Sequence, residues 1–98
     1  MRIRYKESFR NRLNRQLAYI ADDSPVNARR FRDGLKKAIQ SLKDHPYKHR
    51  RSQYFDSDQI RDLIYKGYTI VYRITDEGID VFGLTKYQDT VVDEKNNN

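Results

Sequence analysis

Apolar positions alternate at first, then follow helical spacing, then alternate again. Residues 2–6 (RIRYK) place Ile3 and Tyr5 on one face, as a short strand does. From Glu7 the spacing is helical. Phe9, Leu13, Gln16, Leu17 and Ile20 form one stripe, with Arg10, Arg12 and Arg15 mostly off it. Asp22-Asp23-Ser24-Pro25 breaks this pattern, Ser24 suiting an N-cap and Pro25 a first helical position. A second stripe of Ala28, Phe31, Leu35, Ala38, Ile39 and Leu42 runs on to Asp44-His45-Pro46. Helices are therefore expected over residues 5–21 and 25–43, paired as an antiparallel hairpin. Gly34 costs the second helix ~1 kcal/mol relative to Ala, and is expected to admit a close approach of the first.

Residues 47–59 (YKHRRSQYFDSDQ) carry neither period and read as a basic, aromatic-bearing loop without a core pattern. Strands follow over 60–65, 68–75 and 79–85. They are joined by the two-residue turn Lys66-Gly67 and a three-residue turn Asp76-Glu77-Gly78. With those turns, Leu63 faces Ile70, Tyr72 faces Phe82 and Ile74 faces Asp80. Residues directly opposite share a face. One face is then Leu63, Tyr65, Tyr68, Ile70, Tyr72, Ile74, Phe82 and Leu84, to be covered by the helices. The other carries Ile60, Asp62, Ile64, Thr69, Val71, Arg73, Ile79, Val81, Gly83, Thr85 and Tyr87, with nothing left to cover it. A half-apolar open face of this kind is a surface for a partner.

At 98 residues the chain is expected to be one domain over residues 1–89, with a flexible tail over 90–98. Eight Tyr and four Phe set it apart from a disordered segment. Cysteine is absent, which excludes disulfides, Cys-ligated metal and a thiol nucleophile. No apolar run approaches a membrane span and the N-terminus has no signal-peptide pattern, so a cytoplasmic protein is expected. Twenty Lys and Arg against fourteen Asp and Glu favour an anionic partner, nucleic acid or an acidic protein segment. His45 and His49 lack carboxylate company, and neither a metal nor another cofactor is expected. There is no Gly-rich phosphate loop and no Ser/His/Asp arrangement.

The order β-α-α-β-β-β resembles the ParE/RelE superfamily, the toxins of bacterial type II toxin–antitoxin modules. The resemblance is carried by Ser24-Pro25 with Ala28 and Phe31, by Leu42 to Pro46, and by Ile60-Arg61-Asp62-Leu63. It continues through Gly67-Tyr68-Thr69-Ile70-Val71-Tyr72-Arg73-Ile74 and the last strand leading to Gln88-Asp89. It implies an α+β fold, a helical hairpin packed on one face of a mainly antiparallel four-stranded sheet. It also implies a cognate antitoxin with an acidic, partly disordered segment, and a toxin–antitoxin hetero-oligomer.

Two mechanisms occur in the superfamily. RelE-like members look like ribosome-dependent mRNA endonucleases, using basic residues with a His or Tyr for acid–base and electrostatic work. ParE-like members block DNA gyrase by binding it. Here Thr69 stands where the RelE-type pattern has an Arg, and Ile60 and Asp62 stand where some members hold lysines. Ile60–Leu63 and Asp89 fit the ParE-like pattern. The leading expectation is a gyrase inhibitor without catalysis; the alternative is an mRNA interferase using Lys86, Tyr87 and Arg73 beside the Lys48–Arg51 loop. Lysine and phenol groups titrate near ~10.4 and ~10, which makes them poor acids and bases at neutral pH. A family member that has lost toxicity is a third reading. Antitoxin or target contacts are expected at Lys48, Arg50, Arg51, Ile64, Val71, Arg73, Val81 and Tyr87, or along the helical hairpin. Arg61, beside Tyr72, is expected to serve structure by pairing with a helix carboxylate or carbonyl.

Overall fold

Ser24 and Pro25 divide the helical part of the chain. The Ser24 hydroxyl accepts from the Asn27 amide at 3.1 Å and Pro25 opens the next helix, so neither leaves a backbone donor unsatisfied. The computed structural model describes residues 1–86. Tyr87, the Gln88-Asp89 pair and the tail expected over 90–98 lie outside them. The elements are β1 (Arg2–Tyr5), α1 (Glu7–Asp23), α2 (Pro25–Gln40) with a 3₁₀ turn (Ser41–Lys43), β2 (Ile60–Tyr65), β3 (Tyr68–Thr75) and β4 (Gly78–Lys86). The sheet order is β1-β4-β3-β2, with β1 parallel to β4 and the other pairs antiparallel. This is the expected α+β architecture.

Three helix boundaries differ from expectation. Tyr5 pairs with Val81 and the Lys6 amide donates to the Val81 carbonyl at 2.9 Å, so the ladder holds the chain extended until Glu7. At the other end α1 continues to Asp23, because the Ser24 amide still reaches the Ile20 carbonyl. The second helix narrows to a 3₁₀ turn after Gln40, which drops Leu42 into the core.

Phe9, Phe31, Leu35, Ile39 and Leu42 pack on Leu63, Ile70, Tyr72, Ile79 and Val81. Burying each large apolar side chain stabilises by about 1.5–3 kcal/mol. Gly34 answers to the sheet, not to α1. A Cβ there would fall 2.0 Å from the Tyr65 hydroxyl, and the Tyr65 ring in turn lies edge-on to Phe31 at 5.6 Å.

The first hairpin matches the register read from the sequence. Lys66 and Gly67 both take positive φ, 48° and 83°, as a two-residue turn of the primed type needs. The second hairpin does not. Its turn is Asp76-Glu77, with Gly78 already paired to Thr75. The Thr75 hydroxyl accepts from the amides of Glu77 and Gly78 and closes the shorter loop. Gly78 is required at φ 149°, where a Cβ would meet the Arg2 carbonyl oxygen at 2.1 Å.

Ile74 therefore faces Ile79 and Tyr72 faces Val81, so Ile79 and Val81 join the core and Phe82 leaves it. A bulge then restores the pairing of Ile70 with Leu84, Phe82 being the extra residue. Gly83 follows because a Cβ there would press on Val71 at 3.1 Å.

The face expected to stay open is partly covered, by the segment expected to have no core role. The Arg51–Ser52 stretch pairs with the outer edge of β2: the Ser52 amide donates to the Ile60 carbonyl and the Asp62 amide to the Arg50 carbonyl. Ser52 is buried, and Phe55 sets its ring against Phe82 at 5.6 Å.

Candidate functional site

The apolar stripes of α1 and α2 do not close completely over β1. Phe9, Leu13, Leu35 and Ile39, with Tyr5 at one end, line a cavity of about 210 Å³ that is almost wholly apolar. Its rim is Arg10, Arg32 and Lys36, all exposed. The Tyr5 hydroxyl accepts from the Gln40 amide at 3.1 Å and fixes the end wall. An apolar trough with a cationic rim matches an amphipathic segment with acidic flanks.

The loop side is built from polar latches. Asp62 is buried at 1% exposure; its Oδ2 accepts from the Gln53 amide at 3.1 Å and lies 3.5 Å from the Arg50 guanidinium. Its Oδ1 and the Thr69 hydroxyl are buried with no hydrogen-bond partner among the described residues. Arg61 serves structure, but through loop carbonyls instead of helix ones. It donates to Asp58 and His49 and lies over the Tyr47 ring at 5.0 Å. The Tyr72 hydroxyl donates to the Pro46 carbonyl at 2.5 Å, and desolvation by burial raises its pKa far above that of a free phenol. His49 meets the Tyr72 ring edge-on, and burial, then the Lys48 charge, lowers its pKa from 6.5.

The residues expected to meet partners are dispersed. Arg50 is tied to Asp62, and Arg51 to Asp56 and Asp58. Lys48 is exposed beside them. Ile64 is 46% exposed on β2, whereas Val71 is buried. Val81 is a correction: the shorter second turn puts it on the helix side of the sheet, fully buried and unable to meet a partner.

Arg73 lies over Phe82 on the face away from the helices, and Lys86 opposite Tyr68 on the helix side. Five β3 residues separate the two levels, about 17 Å at ~3.4 Å per residue. Of the three residues expected in a nuclease site, Lys86 and Arg73 are thus split between two faces and two ends of the sheet, and Tyr87 lies outside the described residues. The groove rim of Arg10, Arg32 and Lys36 was not singled out from the sequence. The available signal was an apolar stripe on α1 wider than a short strand can cover.

The model of the ParE toxin of the type II toxin–antitoxin system parDE matches residues 3–86. The chain belongs to the ParE toxin family. The matched span takes in every element of the fold except Arg2 at the start of β1, both walls of the groove included. Membership makes this ParE-family chain the toxin of a type II toxin–antitoxin module, with a cognate antitoxin as partner. No curated protein matches the chain. Among the described residues of this toxin, no helix is long and apolar enough to cross a membrane.

Proposed function

We propose that this toxin inhibits DNA gyrase by binding it, cleaves nothing itself, and is silenced by an acidic antitoxin segment laid along the helical groove. The separation of Lys86 from Arg73 carries the first part. Acid–base cleavage of RNA needs its groups within hydrogen-bond reach of one reacting phosphate, and these two cations address different faces. Tyr72 is committed to Pro46, and the shift at His49 disfavours its protonated form. The basic rim over an apolar floor supports the second part. This antitoxin would bind with a rate that falls as salt rises.

The test sets gyrase supercoiling beside cleavage of mRNA on programmed ribosomes, each with wild type, Lys86→Ala and Tyr87→Phe. Wild type is expected to stop supercoiling and leave mRNA intact. Codon-specific cuts that disappear in the two variants would replace this reading with the interferase.

A further inference from the structure

Among the described residues, four arginines are held by carboxylates. Arg4 pairs with Asp80 at 2.7 Å, Arg32 with Asp33, Arg50 with Asp62, and Arg51 with Asp56 and Asp58. Where α1 crosses the end of β4 the pattern changes. Arg12, Arg15 and Lys86 converge on a cavity of about 150 Å³ completed by Gln16, Tyr68 and Thr85, with no carboxylate in its wall among the described residues. None of the three cations has an ion pair among the described residues.

The cavity is ordered before any ligand arrives. Arg12 donates to the Leu84 carbonyl at 3.1 Å, which fixes its guanidinium at the rim. The Lys86 ammonium is held over two rings, 5.7 Å from Tyr19 and 6.0 Å from Tyr68. Tyr68 is buried against Phe31, but Tyr19 is 68% exposed, a large flat ring beside these three cations. Gln16 and Thr85 add uncharged donors. The next turn of α1 carries Asp22 and Asp23, which end the cationic strip.

We propose that this cavity binds a backbone phosphate of a single nucleic-acid strand, with the adjoining base stacked on Tyr19. Planar guanidinium donors and a point-charge lysine together suit a tetrahedral oxyanion. An exposed aromatic ring next to a cationic groove is the arrangement by which sequence-tolerant strand binding works. An acidic peptide would use the cations and leave Tyr19 without a role. The inference stands apart from the choice of gyrase as target, since it is read by binding alone.

The experiment titrates the purified full chain with a short fluorescent oligothymidylate and follows anisotropy and backbone amide shifts. Arg15→Gln with Lys86→Gln is compared with Lys48→Gln with Arg51→Gln, which removes equal charge from the loop. The first pair is expected to weaken binding at least about tenfold and to flatten the salt dependence by about one phosphate contact. The loop pair should change affinity much less. Tyr19→Ala should also weaken binding while leaving the spectrum of the free protein intact. Inorganic phosphate should move the same amides at far higher concentration. Equal losses from both charge pairs would overturn the proposal. So would an unchanged affinity in Tyr19→Ala, or phosphate binding without strand binding. Stronger perturbation of these amides by oligoglutamate than by the oligonucleotide would assign the cavity to an acidic peptide instead.

Discussion

The sheet is covered in two ways. On one side α1 and α2 set Phe9, Phe31, Leu35 and Ile39 onto it, and apolar area does the holding. At the β2 edge and beyond, residues 46–59 are fastened by individual polar contacts: Arg61 to two carbonyls, Tyr72 to Pro46, Asp62 to Gln53. The helical cover stabilises through many interchangeable contacts. The loop cover depends on a few directional ones, each cheap to break and local in its effect.

Substitutions can separate the two. The largest effect belongs to the helical cover: Leu35→Ala should lower unfolding free energy by about 2–5 kcal/mol in a urea melt. A loss below about 0.5 kcal/mol would remove α2 from the core. Next, Asp62→Ala should cost about 1–3 kcal/mol. Its effect should be concentrated in the loop, read as faster amide exchange at Ser52 and Gln53 with α2 unchanged. Tyr72→Phe deletes one hydroxyl and one hydrogen bond, for about 0.5–1.5 kcal/mol. It should loosen the Pro46 segment without a cavity.

The smallest effect is a pH dependence. Burial lowers the pKa of His49 from 6.5, so below that value the unfolded chain takes up the proton first. The contribution of the neutral ring is complete above pH 6.5 and declines as pH falls through that value and on to the lower folded pKa. His49→Gln should flatten the melting temperature over that window. An unchanged profile would place the imidazole in water.

The helical cover was legible because period and burial coincide there: the stripes from Phe9 and from Ala28 announce the hairpin, and Ser24-Pro25 its joint. The first strand turn was legible too, since Lys66-Gly67 admits one geometry. The second was not, because Gly78 fits either a turn position or a strand that touches another backbone. Only the Thr75 hydroxyl, meeting two amides, decides between them. The loop cover was invisible for a related reason: single polar contacts have no period. The groove was legible as a place on the hairpin, but its rim residues were not. Exposed arginines look alike until the fold shows which of them share a trough. The cavity at Arg12, Arg15 and Lys86 joins two elements far apart in sequence and could only emerge from the fold.

The parallel pairing of β1 with β4 also bears on time. Arg4 finds Asp80 across a separation of 76 residues. At ~5–20 residues per second, a ribosome needs several seconds between making one strand and making the other. Through that interval Ile3 and Tyr5 have no ladder to join, and the strand that carries Tyr5 to the groove is not yet held in place. The groove proposed above for the antitoxin is thus completed on the sheet only late in the toxin's own synthesis. An antitoxin translated earlier would meet each new copy at the moment its groove closes.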